Sequence, residues 1–423
     1  MAECLGGEVN MSVNVSDFSL LDPAISSDPW DFYQLLHEQC PVYQMPETGA
    51  FVVTRYDDLR QVLRDPETFS SNVRSASMGP FAGLQQSILK EGGGWEHVQT
   101  LQRTDPPEHS RYRTLLDRVF TIARVRELTP HLDEVSNELI DGFIDQGECE
   151  FSNDFAMPMP GIIIAEQLGL DRNDVATFKT WADAMLGAAR SAVASEDEIR
   201  ANAETELEAQ KFLAKIFEER RANPGDDLMS AMVNSHGSDE APLTMHELQN
   251  LMHQLITGGF ETTQNAISHG MWVLVRLPEL QERLRSDESL LKPFVDEVLR
   301  WESPVQFLAR RTTKDVELNG TLIPAESMVM VGYGPANRDE AKFKCPHEFD
   351  IDRGNSGANL AFGSGNHFCV GALLAKQEMT SAFKALLDRM ENIQLARALP
   401  NPVHDFSMFF MPMRDFHIKF ERR

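Results

Sequence analysis

Cysteine is sparse here and never paired locally. The five cysteines (Cys4, Cys40, Cys149, Cys345, Cys369) are odd in number and far apart, with no C-x-x-C. That pattern excludes a zinc ribbon or a dense disulfide framework and points to a reducing compartment. Basic charge is also in short supply. Lys and Arg total 39 against 65 Asp and Glu, a net charge of −26, so neither nucleic acid nor an anionic membrane surface is expected as a partner. Residues 1–17 are polar, with no basic region leading into an apolar core. No secretory leader or membrane anchor is expected, and a cytoplasmic location is. Gly92-Gly93-Gly94 has no phosphate-binding lysine after it and reads as loop. No flavin or nicotinamide fingerprint appears.

What is present is a globular composition. Hydrophobic residues make up 42% and charged residues 25% of 423 positions, enough for a sizeable core in a single large fold.

The densest chemistry lies in Phe362-Gly363-Ser364-Gly365-Asn366-His367-Phe368-Cys369-Val370-Gly371, followed by a helix-like run from Ala372 to Glu378. Cys369 is thereby placed just ahead of a helix N-terminus, where unpaired N–H groups and the helix dipole stabilise a thiolate. Glycines on both sides let the backbone approach a flat, bulky ligand. A lone cysteine is equally a small buried hydrophobe, but Gly, Gly, His and Gly at fixed offsets have no simple core explanation.

Three further constellations carry chemistry. Asp105-Pro106-Pro107-Glu108-His109 opens a helix with His109 and Arg113 four apart on one face, where two donors can hold a carboxylate or merely face solvent. Thr244 to Glu247 has capping-box spacing and predicts a helix running to about Arg276. Gly258-Gly259-Phe260-Glu261-Thr262-Thr263 sits in its middle. Each glycine costs about 1 kcal/mol there relative to alanine, so either a ligand presses against the helix or it is a kinked core helix with a solvated Glu261. Glu297 and Arg300 stand three apart, a spacing that usually gives only a weak surface pair.

Taken together and in this order, these motifs resemble those of the cytochrome P450 monooxygenases of the soluble bacterial type, over roughly Asp22 to Phe420. The resemblance implies a mainly α fold with a smaller β-rich region (α+β). Residues 1–21 would be a flexible segment and 22–423 a single catalytic domain. It implies haem b held by Cys369, with Phe362, Gly363, His367 and Gly371 shaping the loop and Gly258 flanking the oxygen-binding groove. His109, Arg113, His367 and Arg310 would contact the propionates, with Arg311 the competitor for Arg310 if the register differs by one. Glu261 and Thr262 match the acid–alcohol pair that relays protons to dioxygen in that family. Glu297 and Arg300 match a buried structural pair behind the haem loop.

The implied reaction is insertion of one oxygen atom of O2 into a hydrophobic small molecule, chiefly C–H hydroxylation. With no reductase domain in the chain, electrons are expected from a separate ferredoxin and its reductase, docking on basic residues such as Arg111, Arg118 and Lys376. A monomer is expected. A peroxide-driven peroxygenase and a non-catalytic haem or small-molecule binder are the alternatives; neither needs the Glu261–Thr262 pair.

Local patterns fill in the rest. Phe51 to Thr54 reads as a strand and Asp57 to Leu63 as a short helix. Residues 72–100 read as a loop closing over the substrate, and residues 125–236 as helices with breaks near Gly169, Ser195 and Asn223-Pro224-Gly225. Candidate pocket residues are Phe81, Leu84, Ile88, Met252, Val305, Phe307, Phe409 and Met411, with Trp181, Met185 and Leu186 as possible roof. Their apolar, methionine-rich character favours a terpenoid or steroid-like skeleton, although Arg74 or Arg190 could anchor a carboxylate. Met411-Pro412 departs from the Arg-Gly of many relatives and leaves that turn open.

Overall fold

The computed structural model describes residues 14–73, 83–168, 175–187, 195–225, 227–234, 241–397, 403–404, 407 and 409–423. Helix α1 (Pro23–Ser27) starts at Asp22, whose side chain accepts from the Ala24 amide, with proline in the first turn where no helical donor is lost. Helix α2 (Trp30–Gln39) leads into strands β1 (Val42–Gln44) and β2 (Phe51–Val53). Helix α3 (Tyr56–Arg64) buries Tyr56, Leu59, Val62 and Leu63, spaced three and four apart. It stops at Asp65, where the following Pro66 disfavours helical backbone. Strand β3 is Phe69–Ser70.

Helix α4 (Leu84–Glu91) corrects the expectation of continuous loop from 72 to 100. The glycines there bracket a helix instead of dissolving it, Gly83 before it with φ +86° and Gly92 after it. Helices α5 (Glu108–Asp117) and α6 (Ile122–Asp141), strand β4 (Glu148–Glu150), and helices α7 (Pro158–Gln167) and α8 (Val175–Gly187) follow. Helix α9 (Glu196–Ala222) begins at a Ser195/Glu198 capping box and ends at Asn223, where the sequence places its breaks.

After α10 (Leu228–Asn234) come α11 (Met245–Gly259) and α12 (Glu261–Arg276). A single helix was expected across both. The chain is interrupted at Phe260, whose ψ of −72° departs from helical values, and the Thr262 hydroxyl binds the Gly258 carbonyl at 2.7 Å across the break. Side-chain back-bonding of this kind bends a helix already weakened by two glycines.

Helices α13 (Pro278–Ser286) and α14 (Leu291–Trp301) lead to β5 (Phe307–Thr312), β6 (Val316–Leu318), β7 (Thr321–Ile323), β8 (Met328–Gly332) and α15 (Tyr333–Ala336). The chain closes with α16 (Ala372–Arg389), β9 (Met390–Leu395), β10 (Val403–His404), β11 (Met413–Arg414) and β12 (His417–Arg422). Among the described residues no helix is long and apolar enough to cross a membrane.

These elements fall into two compact units. The first takes residues to Ser71, Asn265–Cys369 and Glu391–Phe420. Its main sheet has the order β1-β2-β8-β5-β3. Here β2 and β8 run parallel with Val52 opposite Met330, and β5 runs antiparallel to β8 with Arg310 opposite Val329. Val53, Leu59, Val329, Val331 and Phe343 pack one core in this unit, and Phe32, Leu36, Val52, Phe307 and Met330 pack a second.

The second unit takes Asn72–Gln264, Val370–Met390 and Glu421–Arg423. It is mainly helical, around Leu116, Phe178, Phe217, Leu251, Met252 and Phe260. In it Arg389 of α16 pairs with Asp141 of α6 at 2.6 Å. Cys345 is disulfide-bonded, while Cys40, Cys149 and Cys369 are not. The cysteine spacing carries no local signal for that bond.

Candidate active site

In the first unit the glycine-rich stretch folds onto itself. The Cys369 amide donates to the Phe362 carbonyl at 2.9 Å and the Phe368 amide to the Gly365 carbonyl at 3.1 Å. Gly365 has φ +72°, and a Cβ there would lie 2.5 Å from the Leu63 carbonyl oxygen. Its glycine is therefore required by the chain's own backbone, not only by a ligand. Cys369 is half-buried, two residues ahead of Gly371, the N-cap of α16.

Arg310 on β5 is 6% exposed. Its guanidinium donates to the Ala309 carbonyl at 2.8 Å and to the Tyr333 hydroxyl. No acid among the described residues pairs with it. Its neighbour Arg311 points to the other face, as strand alternation requires, and is held by Glu326. The pleat thus buries Arg310 and leaves Arg311 paired and part-exposed.

Glu297 and Arg300 on α14 form no surface pair. Both side chains are fully buried, 2.7 Å apart, and Arg353, Ser356 and the Asp350 amide also bind the Glu297 carboxylate. Burial alone would raise its pKa, but Arg300 and the other donors outweigh burial and hold it below the usual value.

In the second unit, α5 presents His109, buried, and Arg113, whose Nε reaches Asp117 Oδ1 at 2.8 Å. Burial, reinforced by the charge of Arg113, holds the His109 imidazole below its ordinary pKa. Arg111 is bound to Glu247 at 2.5 Å, which ties up a residue expected to be available for docking. At the break between α11 and α12 a Cβ added to either glycine would make only ordinary contacts. A Cβ on Gly258 would meet nothing nearer than Gln102 Nε2 at 3.8 Å, and one on Gly259 nothing nearer than Ile164 at 3.6 Å. Glu261 and Thr262 are both half-buried at the start of α12.

The candidate pocket residues scatter in burial. Leu84 is half-buried at the start of α4, while Met252 is fully buried in the helical core beside Trp181 and Met185. Trp181 packs against Phe212 with the rings tilted, their centres 5.0 Å apart. Phe307 is 1% exposed and packs edge-on against Tyr33 at 5.8 Å. Val305 bridges Phe410, Phe409 packs beside the Phe307 core, and the Met411 carbonyl binds His269 Nε2 at 2.9 Å. Phe81, Arg74, Arg190 and Met408 lie outside the described residues. His97, Glu206 and His253, which meet in the second unit, have no spacing that marks them in the sequence.

The sequence model of the cytochrome P450 family matches residues 196–420. Cytochrome P450 monooxygenase PikC of Streptomyces venezuelae is 35% identical over 90% of this chain and 88% of its own length. The 6-deoxyerythronolide B hydroxylase of Saccharopolyspora erythraea is 32% identical over 88% of this chain and 92% of its own. The structure of cytochrome P450 CYP109Q5 from Chondromyces apiculatus superposes with a TM-score of 0.85 at 30% identity, covering 96% of this chain and 98% of that one. The mainly helical fold with its smaller sheet region, the motif order and these matches agree: the chain belongs to the cytochrome P450 family, haem b-containing monooxygenases that use O2.

Proposed function

We propose that this monooxygenase hydroxylates a C–H bond of a bulky hydrophobic molecule, with Cys369 as the thiolate ligand of haem iron. Arg310 is the observation that carries the site assignment. A guanidinium at 6% exposure with no acid among the described residues beside it is costly unless a counter-charge arrives, and the propionates of haem b are carboxylates. The residues therefore fit the group. His109, Arg113 and His367 are proposed as the other propionate contacts, with Phe362, Gly363 and Gly371 shaping the loop. Gly258 is proposed to lie beside the bound cofactor.

Thiolate-ligated haem supplies oxygen activation, electron donation by sulfur favouring O–O cleavage. The chain's own contribution is proton handling. A threonine hydroxyl has one proton to donate and two lone pairs to accept with. Thr262 spends its proton on the Gly258 carbonyl, so its oxygen faces outward as an acceptor and can fix a water at a defined place. Glu261, half-buried at the start of the same helix, exchanges protons with solvent and passes them on.

The apolar candidates Leu84, Met252, Val305, Phe307, Phe409 and Met411 support a terpenoid or steroid-like skeleton. A relative named as a hydroxylase of 6-deoxyerythronolide B supports widening that class to skeletons of its kind. Electrons are proposed to come from a ferredoxin with its reductase, docking near Arg118 and Lys376 on a monomeric, cytoplasmic enzyme. Because each compact unit is assembled from separated chain segments, we read 22–423 as one catalytic domain.

The test is a spectral titration of the purified ferric holoprotein with 6-deoxyerythronolide B, terpenes, steroids, fatty acids and aromatic acids, followed by turnover with a ferredoxin system. A low- to high-spin shift and a hydroxylated product from one of the first three classes are expected. Turnover with hydrogen peroxide but not with the ferredoxin system would instead make it a peroxygenase. No product with either would favour a binding protein.

A further inference from the structure

Three side chains that the proposed reaction leaves unused converge in the helical unit: His97, in the segment after α4, Glu206 on α9, and His253 on α11. One ligand atom from each lies within 4.8 Å of the other two. Glu206 is 1% exposed. His97 Nε2 lies 2.5 Å from its Oε1, and Gln85 Nε2 donates to its Oε2 at 2.6 Å. The His97 segment is itself clamped. Its amide donates to Gln86 at 2.8 Å, and Gln210 bonds Trp95 through both main-chain groups, at 2.8 and 3.1 Å.

His253 is the odd member. Its Nε2 is buried with no hydrogen-bond partner among the described residues, while the ring's other nitrogen leans toward the Met185 backbone. The His97 and His253 rings stand 5.0 Å apart. A proton shared by His97 and Glu206 satisfies those two and leaves His253 unanswered. An electron-pair acceptor placed among the three would satisfy all of them. An imidazole oriented through its second nitrogen by a main-chain carbonyl is also how metal-binding histidines are commonly held.

We propose that His97, Glu206 and His253 bind a divalent transition-metal ion of the zinc class, through two imidazole nitrogens and one carboxylate oxygen, with a fourth position open to water. Bonds of about 2 Å are reached by side-chain rotations that draw the three ligand atoms around the ion. The proton held between His97 and Glu206 leaves as the metal enters. The ion ties together three segments far apart in sequence, and this role is independent of the haem chemistry.

The test uses haem-loaded protein stripped of loose metal with a chelator, then equilibrated with zinc and dialysed. Zinc counted by mass spectrometry is expected at one tightly held equivalent per chain. Zinc-edge X-ray absorption of the wild-type holoprotein is expected to show two imidazoles in the first shell, a readout that needs no variant. His253→Ala and His97→Ala should each weaken that equivalent at least about 100-fold, with haem content and the ferrous–CO spectrum unchanged. The proposal is overturned if the wild type retains no more zinc than the combined His97→Ala, His253→Ala variant, or if the absorption spectrum lacks paired imidazoles. Either result would leave the cluster as a hydrogen-bonded ion pair.

Discussion

Glu297→Gln keeps the shape of the side chain and removes one charge from the most deeply buried ionic network of the sheet-containing unit. The carboxylate accepts from Arg300 at 2.8 and 2.7 Å, from Arg353 at 3.1 Å, from Ser356 at 2.7 Å and from the Asp350 amide at 3.0 Å. Glutamine replaces one of its two oxygens by an NH2 that faces donors, and two guanidiniums lose their acid. Arg300 still donates to the carbonyls of Asn337, Pro346 and Glu348, but carbonyls do not neutralise it. Removing one partner of a buried pair costs about 3–5 kcal/mol, a large share of the roughly 5–15 kcal/mol that holds a typical domain together. Arg353→Met leaves the Glu297–Arg300 pair intact, so although it frees the Lys344, Cys345 and Glu348 carbonyls it should cost less than Glu297→Gln. Urea unfolding of the holoprotein, followed by far-UV circular dichroism and by the haem Soret band, measures both. A Glu297→Gln cost below about 1 kcal/mol, or equal costs for the two variants, would refute the claim that this pair is desolvated.

Glu378 on α16 is 4% exposed with no partner among the described residues, and burial raises its pKa to about 8 from an ordinary 4.5. The folded state therefore keeps a proton that the unfolded state has lost. Stability is highest below about pH 4.5, falls as pH rises, and levels off above about pH 8. Glu378→Gln should remove that slope, gaining about 3 kcal/mol over wild type by pH 7 at ~1.4 kcal/mol per pKa unit; parallel pH–stability curves in urea would contradict this. Gly365→Ala forces a φ of +72° on alanine and drives its Cβ into the Leu63 carbonyl. The left-handed backbone alone costs about 1–2 kcal/mol, so haem occupancy judged from the ferrous–CO spectrum should drop, and unchanged occupancy would show that the loop relaxes freely. Thr262→Ala should retain haem but divert reducing equivalents to peroxide. Product formed per reduced nicotinamide consumed by the reductase measures it, and unchanged coupling would remove Thr262 from proton delivery.

Local sequence was informative wherever a short stretch carries its own physics. The Gly365–Cys369 loop, the α3 stripe of Tyr56, Leu59, Val62 and Leu63, and the Ser195 and Thr244 caps rest on backbone sterics, helical spacing and unpaired amides that neighbouring residues decide. Those features the residues themselves determined, and the order of the motifs already carried the family resemblance. Tertiary structure decided the rest. Whether Arg310 or Arg311 is buried depends on how β5 pairs with β8. The burial of the Glu297–Arg300 pair depends on Ser356 and Arg353 arriving from more than fifty residues away. His97, Glu206 and His253 share no local pattern at all. Short-range propensity is written in adjacent side chains, whereas desolvation and ion pairing are set by neighbours that only the folded chain brings together.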